Sequence, residues 1–131
     1  MVYFVMIMVG FEDLEVWKAC RQFRIDCSKI VKSFPIEEKY RLTDQLIRFS
    51  RATTANISEG HGSFHYQENI QFCRQARGAL NESLDHLITA FDETHIDDEI
   101  LDKMRNSFAH CLKLLNGYIS YLQRRKKENS G

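Results

Sequence analysis

From Leu101 to Leu122 apolar residues recur at alternating steps of three and four: Leu101, Met104, Phe108, Cys111, Leu115, Tyr118 and Leu122. Such a run puts every one of these side chains on one face of an α-helix, whereas a strand would scatter them over both faces. Three more segments carry helical spacing. The first runs from about Leu14 to Ser33, with Asp13 placed to cap it and Trp17, Cys20, Arg24, Cys27, Val31 and Phe34 along one stripe. The second shows Leu42, Leu46, Phe49, Thr53 and Ile57, and the third, from about Tyr66 to Phe91, shows Ile70, Cys73, Ala76, Leu80, Leu84, Leu87 and Phe91.

Breakers separate the four. Phe34-Pro35 ends the first, because proline lacks an N–H donor and restricts the residue before it. Glu37 and Glu38 then suit the first turn of the second helix, near the positive end of its dipole. Gly60-His-Gly62 is expected to end that helix in the left-handed conformation glycine permits, and Asp97-Asp98-Glu99 opens the fourth. Short connections make sequential helices neighbours, so the expected fold is an all-α, antiparallel up-down-up-down four-helix bundle. The expected layout is an extension over residues 1–10, one bundle domain over 11–125 and a basic tail over 126–131. The apolar start, Met1 to Val9, is about half the length of a membrane span and lacks a basic leader region.

Beside their main stripes, the fourth helix adds Ile100, Leu112, Leu114, Ile119 and Tyr121, and the first adds Val16, Phe23 and Ile30. An apolar arc this wide predicts burial against another subunit, the alternative being simply wide core-facing helices.

Charge is balanced at 18 basic and 18 acidic residues but is zoned along the chain. Residues 14–57 hold nine basic against five acidic, residues 59–102 two against ten, and residues 103–131 seven against one. Zoned charge steers partners even at zero net charge. On the second helix Arg41, Arg48 and Arg51 share a side, and Arg74 and Arg77 are the only cations of the acidic third. Guanidinium forks suit phosphate and carboxylate alike, so these five are candidates for nucleic-acid contact or for ion pairs with Glu59 and Glu82.

Catalytic and metal sites find little support. A di-iron bundle needs paired Glu-x-x-His motifs, and the chain offers only Asp92-x-x-His95. His61 and His65 straddle the glycine loop without a third ligand, and Gly60 to Ser63 lacks the strand and lysine of a phosphate loop. No cofactor is expected. Cys20, Cys27, Cys73 and Cys111 contain no CxxC pair and fall on apolar stripes, which predicts reduced core thiols in a cytoplasmic protein.

Phe11-Glu-Asp-Leu-Glu-Val-Trp17 resembles the opening of the bacterial 23S rRNA intervening sequence proteins, also called four helix bundle proteins. Leu42-Thr-Asp-Gln-Leu46, Ala55-Asn-Ile-Ser-Glu-Gly60, Ala76-Arg-Gly-Ala-Leu80 with Glu82, and Leu114-Leu-Asn-Gly-Tyr-Ile119 are similar to further family signatures in the same order. The chain departs from the pattern at His61-Gly62-Ser63, where a basic residue is usual, at His65 in place of a hydroxyl cap, and at Leu84 in place of an acid. The resemblance implies a non-enzymatic protein that forms closed rings of five subunits. A related group assists reverse transcriptases by binding the enzyme and nucleic acid, so RNA or DNA and a reverse transcriptase are the partners it suggests. It also marks Asn56, Glu59, Arg77 and Glu82 as a polar set, expected as a paired network between helices or subunits, with a nucleic-acid surface as the functional alternative. An adaptor oligomer that binds another protein is the alternative.

Overall fold

The structure, a computed structural model, describes residues 10–130, so the apolar stretch 1–9 lies outside the described residues. Four helices account for most of it: α1 (Glu15–Ile30), α2 (Leu42–His61), α3 (Tyr66–Asp92) and α4 (Asp98–Ser130). The described residues are 87% helical, with no strand among them. Each helix packs on two neighbours, in the cyclic order α1, α2, α3, α4. Hydrogen bonds between Gln67 and Lys126, Asn69 and Tyr118, and Arg77 and Asn116 ascend α3 while descending α4, so these two run antiparallel. Phe49 against His86 and Gly60 against Asn69 show the same for α2 and α3.

Several boundaries differ from expectation, each for a local reason. Asp13 does not cap α1. It closes a 3-10 turn, Phe11–Asp13, by accepting the Gly10 N–H at 3.3 Å, and Leu14 takes the N-cap position. Phe11 packs edge-on to Trp17 at 5.1 Å, which folds this turn back on the helix. Glu37 and Glu38 lie in a separate 3-10 turn, Ile36–Glu38, because the backbone at Arg41 (φ −124°, ψ −107°) leaves the helical path before α2 begins. At the far end, α4 continues to Ser130, so residues 126–130 are its last turns rather than a separate tail. Asp97 caps α4, accepting the Ile100 N–H at 2.9 Å.

The buried face of α1 is Val16, Cys20, Phe23, Cys27, with Val31 just beyond, while Trp17 and Arg24 sit half-buried at its edge. The face is rotated from the expected stripe because Arg24 cannot enter an apolar core without a paired partner. Phe23 and Val16, expected to face another subunit, are therefore core. On α4 Ile119 is also core, Ile100, Leu112 and Leu114 are half-buried against it, and Tyr121 is exposed. Most of the second apolar lines is thus consumed within one protomer. On α3, Ala79, Ser83 and Ala90 are buried, while Leu84 and Phe91, expected in the stripe, are half-buried.

Gly60 is helical and does not adopt the left-handed conformation expected for this stop, and neither does Gly62 (φ −79°). A Cβ on Gly60 would lie 2.6 Å from Asn69 Oδ1 and 2.9 Å from Phe72 Cβ, so glycine here permits the close approach of α2 and α3. The left-handed turn occurs instead after α3, at Thr94 (φ 65°). There the N–H groups of Thr94 and His95 return to the carbonyls of Phe91 and Ala90, at 3.0 and 2.8 Å, which makes a Schellman stop.

The four cysteines are free and buried in the bundle core. A hydrogen bond with Cys111, together with burial, pushes the Cys20 thiol up, and the same bond lowers Cys111. Burial also pushes up Cys27, and Cys73 to about 11.

Candidate nucleic-acid interface

Short side chains open one seam of the bundle. Ser28 on α1 and Thr54, Ala55 and Ser58 on α2 line it, and residues this small leave a groove of about 740 Å³ between the two helices. Cations occupy its walls: Arg24 and Lys29 from α1, Lys32 from the turn that follows and Arg51 from α2. Phe11 and Trp17 line it toward the start of α1, and no carboxylate is among the lining residues.

Arg24 is fixed across the seam. Its Nη1 donates to Thr54 Oγ1 at 2.9 Å, while the Thr54 hydroxyl donates to the Arg51 carbonyl at 3.1 Å. Thr54 is buried, so the floor of the groove holds one guanidinium N–H in a set direction. A guanidinium carries five N–H donors, and this arrangement engages one. Lys29, Lys32 and Arg51 are exposed, and none of the four cations enters an ion pair among the described residues. Cations gathered without counter-charge repel one another, and an anion relieves that cost.

The five arginines singled out by sequence do not converge. Arg51 lines this groove. Arg74 lines a smaller depression of about 320 Å³ between α3 and α4, with Gln67, Gln123, Lys126 and Lys127. Arg77 is half-buried and donates to Asn116 Oδ1 at 2.8 Å, a tie between α3 and α4. Arg41 and Arg48 are exposed and line neither depression. Arg24, Lys29 and Lys32 escape a reading by sequence because a charge inside or beside an apolar stripe reads as an interruption. The signal that could have found them is the run of small residues opposite, at 54, 55 and 58.

The polar set Asn56, Glu59, Arg77 and Glu82 does not assemble inside the protomer. Asn56 donates to the Ala52 carbonyl of its own helix at 2.9 Å, and Glu59 and Glu82 are exposed. No ion pair among the described residues joins either glutamate to an arginine. The buried interhelical network is elsewhere. Asn69 Nδ2 donates to Tyr118 Oη at 3.2 Å, and Cys73 Sγ lies 3.5 Å from Asn69 Oδ1. Burial raises the Tyr118 phenol, which the Asn69 contact partly offsets. Among the described residues no cluster of three His, Cys, Asp or Glu side chains could hold a metal ion, and no helix is long and apolar enough to cross a membrane.

Fold and groove together define an all-α four-helix bundle with a cation-lined seam on one side. The model of the family described as 23S rRNA-intervening sequence protein matches residues 12–117, from the turn before α1 into the second half of α4. The chain belongs to the 23S rRNA-intervening sequence protein family. Among curated proteins nothing matches it.

Proposed function

We propose that this protein is a non-enzymatic, ring-forming bundle of the cytoplasm that binds RNA or DNA through phosphate contacts in the α1–α2 groove. The observation that carries the reading is the groove itself: four cations, one of them positioned by a buried hydroxyl, with no lining carboxylate. Phosphate contacts of this kind supply sequence-independent affinity that falls as salt rises. Repetition of a modest patch around a ring adds weak contacts through effective concentration. Self-assembly is supported by apolar side chains that one protomer leaves in solvent: Ile36 is 76%, Tyr40 84% and Phe64 100% exposed. An accessory role beside a reverse transcriptase accords with the same surface.

A filter-binding titration with labelled RNA and DNA oligonucleotides, from about 50 mM salt upward, tests the reading. Binding that weakens linearly on log–log axes supports it. Failure to bind either polymer, with the oligomer intact by light scattering, leaves a protein-binding adaptor as the function.

A further inference from the structure

We infer that the strand held in the α1–α2 groove is single-stranded, with one of its bases stacked on Trp17; this rests on the nucleic-acid reading above. A duplex keeps its bases stacked inside and is entered by convex elements, typically a helix in the major groove. Here the cations line a concavity rather than a projecting element that could enter a duplex groove. A single strand can lie in such a groove and turn its bases to the wall. Aromatic platforms beside a basic track are how single strands are held without regard to sequence.

The wall offers such a platform. Trp17 lines the groove, is half-buried rather than sealed in the core, and is braced by Phe11 at 5.1 Å with the rings nearly perpendicular. From Trp17 the cations follow at Arg24 and Lys29 along α1 and at Lys32 in the turn after it, a span of roughly 20 Å by helical rise, room for a few nucleotides. Arg24 is already oriented by its bond to Thr54, so little ordering is needed when a phosphate arrives beside the stacked base.

Trp17 is the only tryptophan of the chain, so its fluorescence reports this site alone. The full chain is titrated with an unstructured oligouridylate, a hairpin duplex of equal phosphate number, and an abasic strand of the same length. The oligouridylate is expected to bind at least tenfold more tightly than the duplex and to quench Trp17 emission in step with saturation. The abasic strand is expected to bind with little quenching. Trp17→Leu is expected to weaken oligouridylate binding about tenfold, with the salt dependence unchanged. Should that variant fail to fold, the three titrations of the native chain decide alone. Duplex binding as tight as single-strand binding, or saturation without a change in emission, overturns the inference while the nucleic-acid reading stands. Absence of binding to all three overturns the nucleic-acid reading itself.

Discussion

Glu38 and His95 join two loops that are far apart in sequence: Glu38 Oε2 lies 2.9 Å from His95 Nε2, with the side chains 19% and 15% exposed. The contact ties the turn between α1 and α2 to the connection between α3 and α4. The His95 ring also lies 5.5 Å from that of Phe34, which ends the first helical stretch beside Pro35. His95→Ala removes both contacts and leaves a half-buried carboxylate without its partner. It is expected to cost about 1–3 kcal/mol, read as a shift in the urea midpoint.

Thr94 holds a left-handed conformation that a β-branched residue adopts only under strain. Glycine accepts it freely, so Thr94→Gly is expected to stabilise the fold by roughly 1 kcal/mol, seen as a rise of a few degrees in Tm.

Gly60→Ala is expected to act oppositely. The new methyl would press on Asn69 Oδ1 and on Phe72 Cβ, and Asn69 is held by Tyr118. A loss of about 1–3 kcal/mol is expected. Gly78→Ala and Gly117→Ala, where an added Cβ meets nothing within 4 Å, are expected to gain about 0.5–1 kcal/mol. Equilibrium denaturation of the three variants checks the contrast.

Cys73 is pushed by burial up to about 11, from an ordinary thiol value of about 8.5. Between those values the folded chain keeps a proton that the unfolded chain releases. The stability linked to this group is therefore complete below about pH 8.5 and is lost as pH rises toward 11. Unfolding free energies measured from pH 8 to 11 are expected to fall, and Cys73→Ala is expected to flatten that fall by up to about 1.4 kcal/mol per pH unit.

Periodicity made α3 and α4 legible, since a helix that packs on two neighbours must repeat its apolar residues every three or four positions. Boundaries were less so. The stop at Thr94 shows no glycine, because the turn is imposed by the Schellman bonds and tolerated at a cost. The rotation of α1 could not be read from Trp17 and Arg24 alone, since both edges of its arc are apolar enough to pass for its centre. The site was the least legible part. Arg51 stood out by spacing, but its groove partners Arg24, Lys29 and Lys32 lie on another helix and on the turn that follows it. Their convergence depends on the small residues that let the α1–α2 seam open. Arg77 looked like its equal in sequence and is instead a tie to Asn116.

Whether nucleic acid lies in the α1–α2 groove is decided by the salt dependence of binding in a triple variant. Lys29, Lys32 and Arg51 are exposed, so their replacement by glutamine leaves the core intact. Wild type, this variant and Arg74→Gln, on the α3–α4 side, are compared with one single-stranded RNA over a range of salt. The log–log slope is expected to be shallower by about 2 in the triple variant, near 0.7 for each phosphate no longer neutralised, and unchanged in Arg74→Gln. An unchanged slope in the triple variant, with the fold intact by circular dichroism, would contradict it.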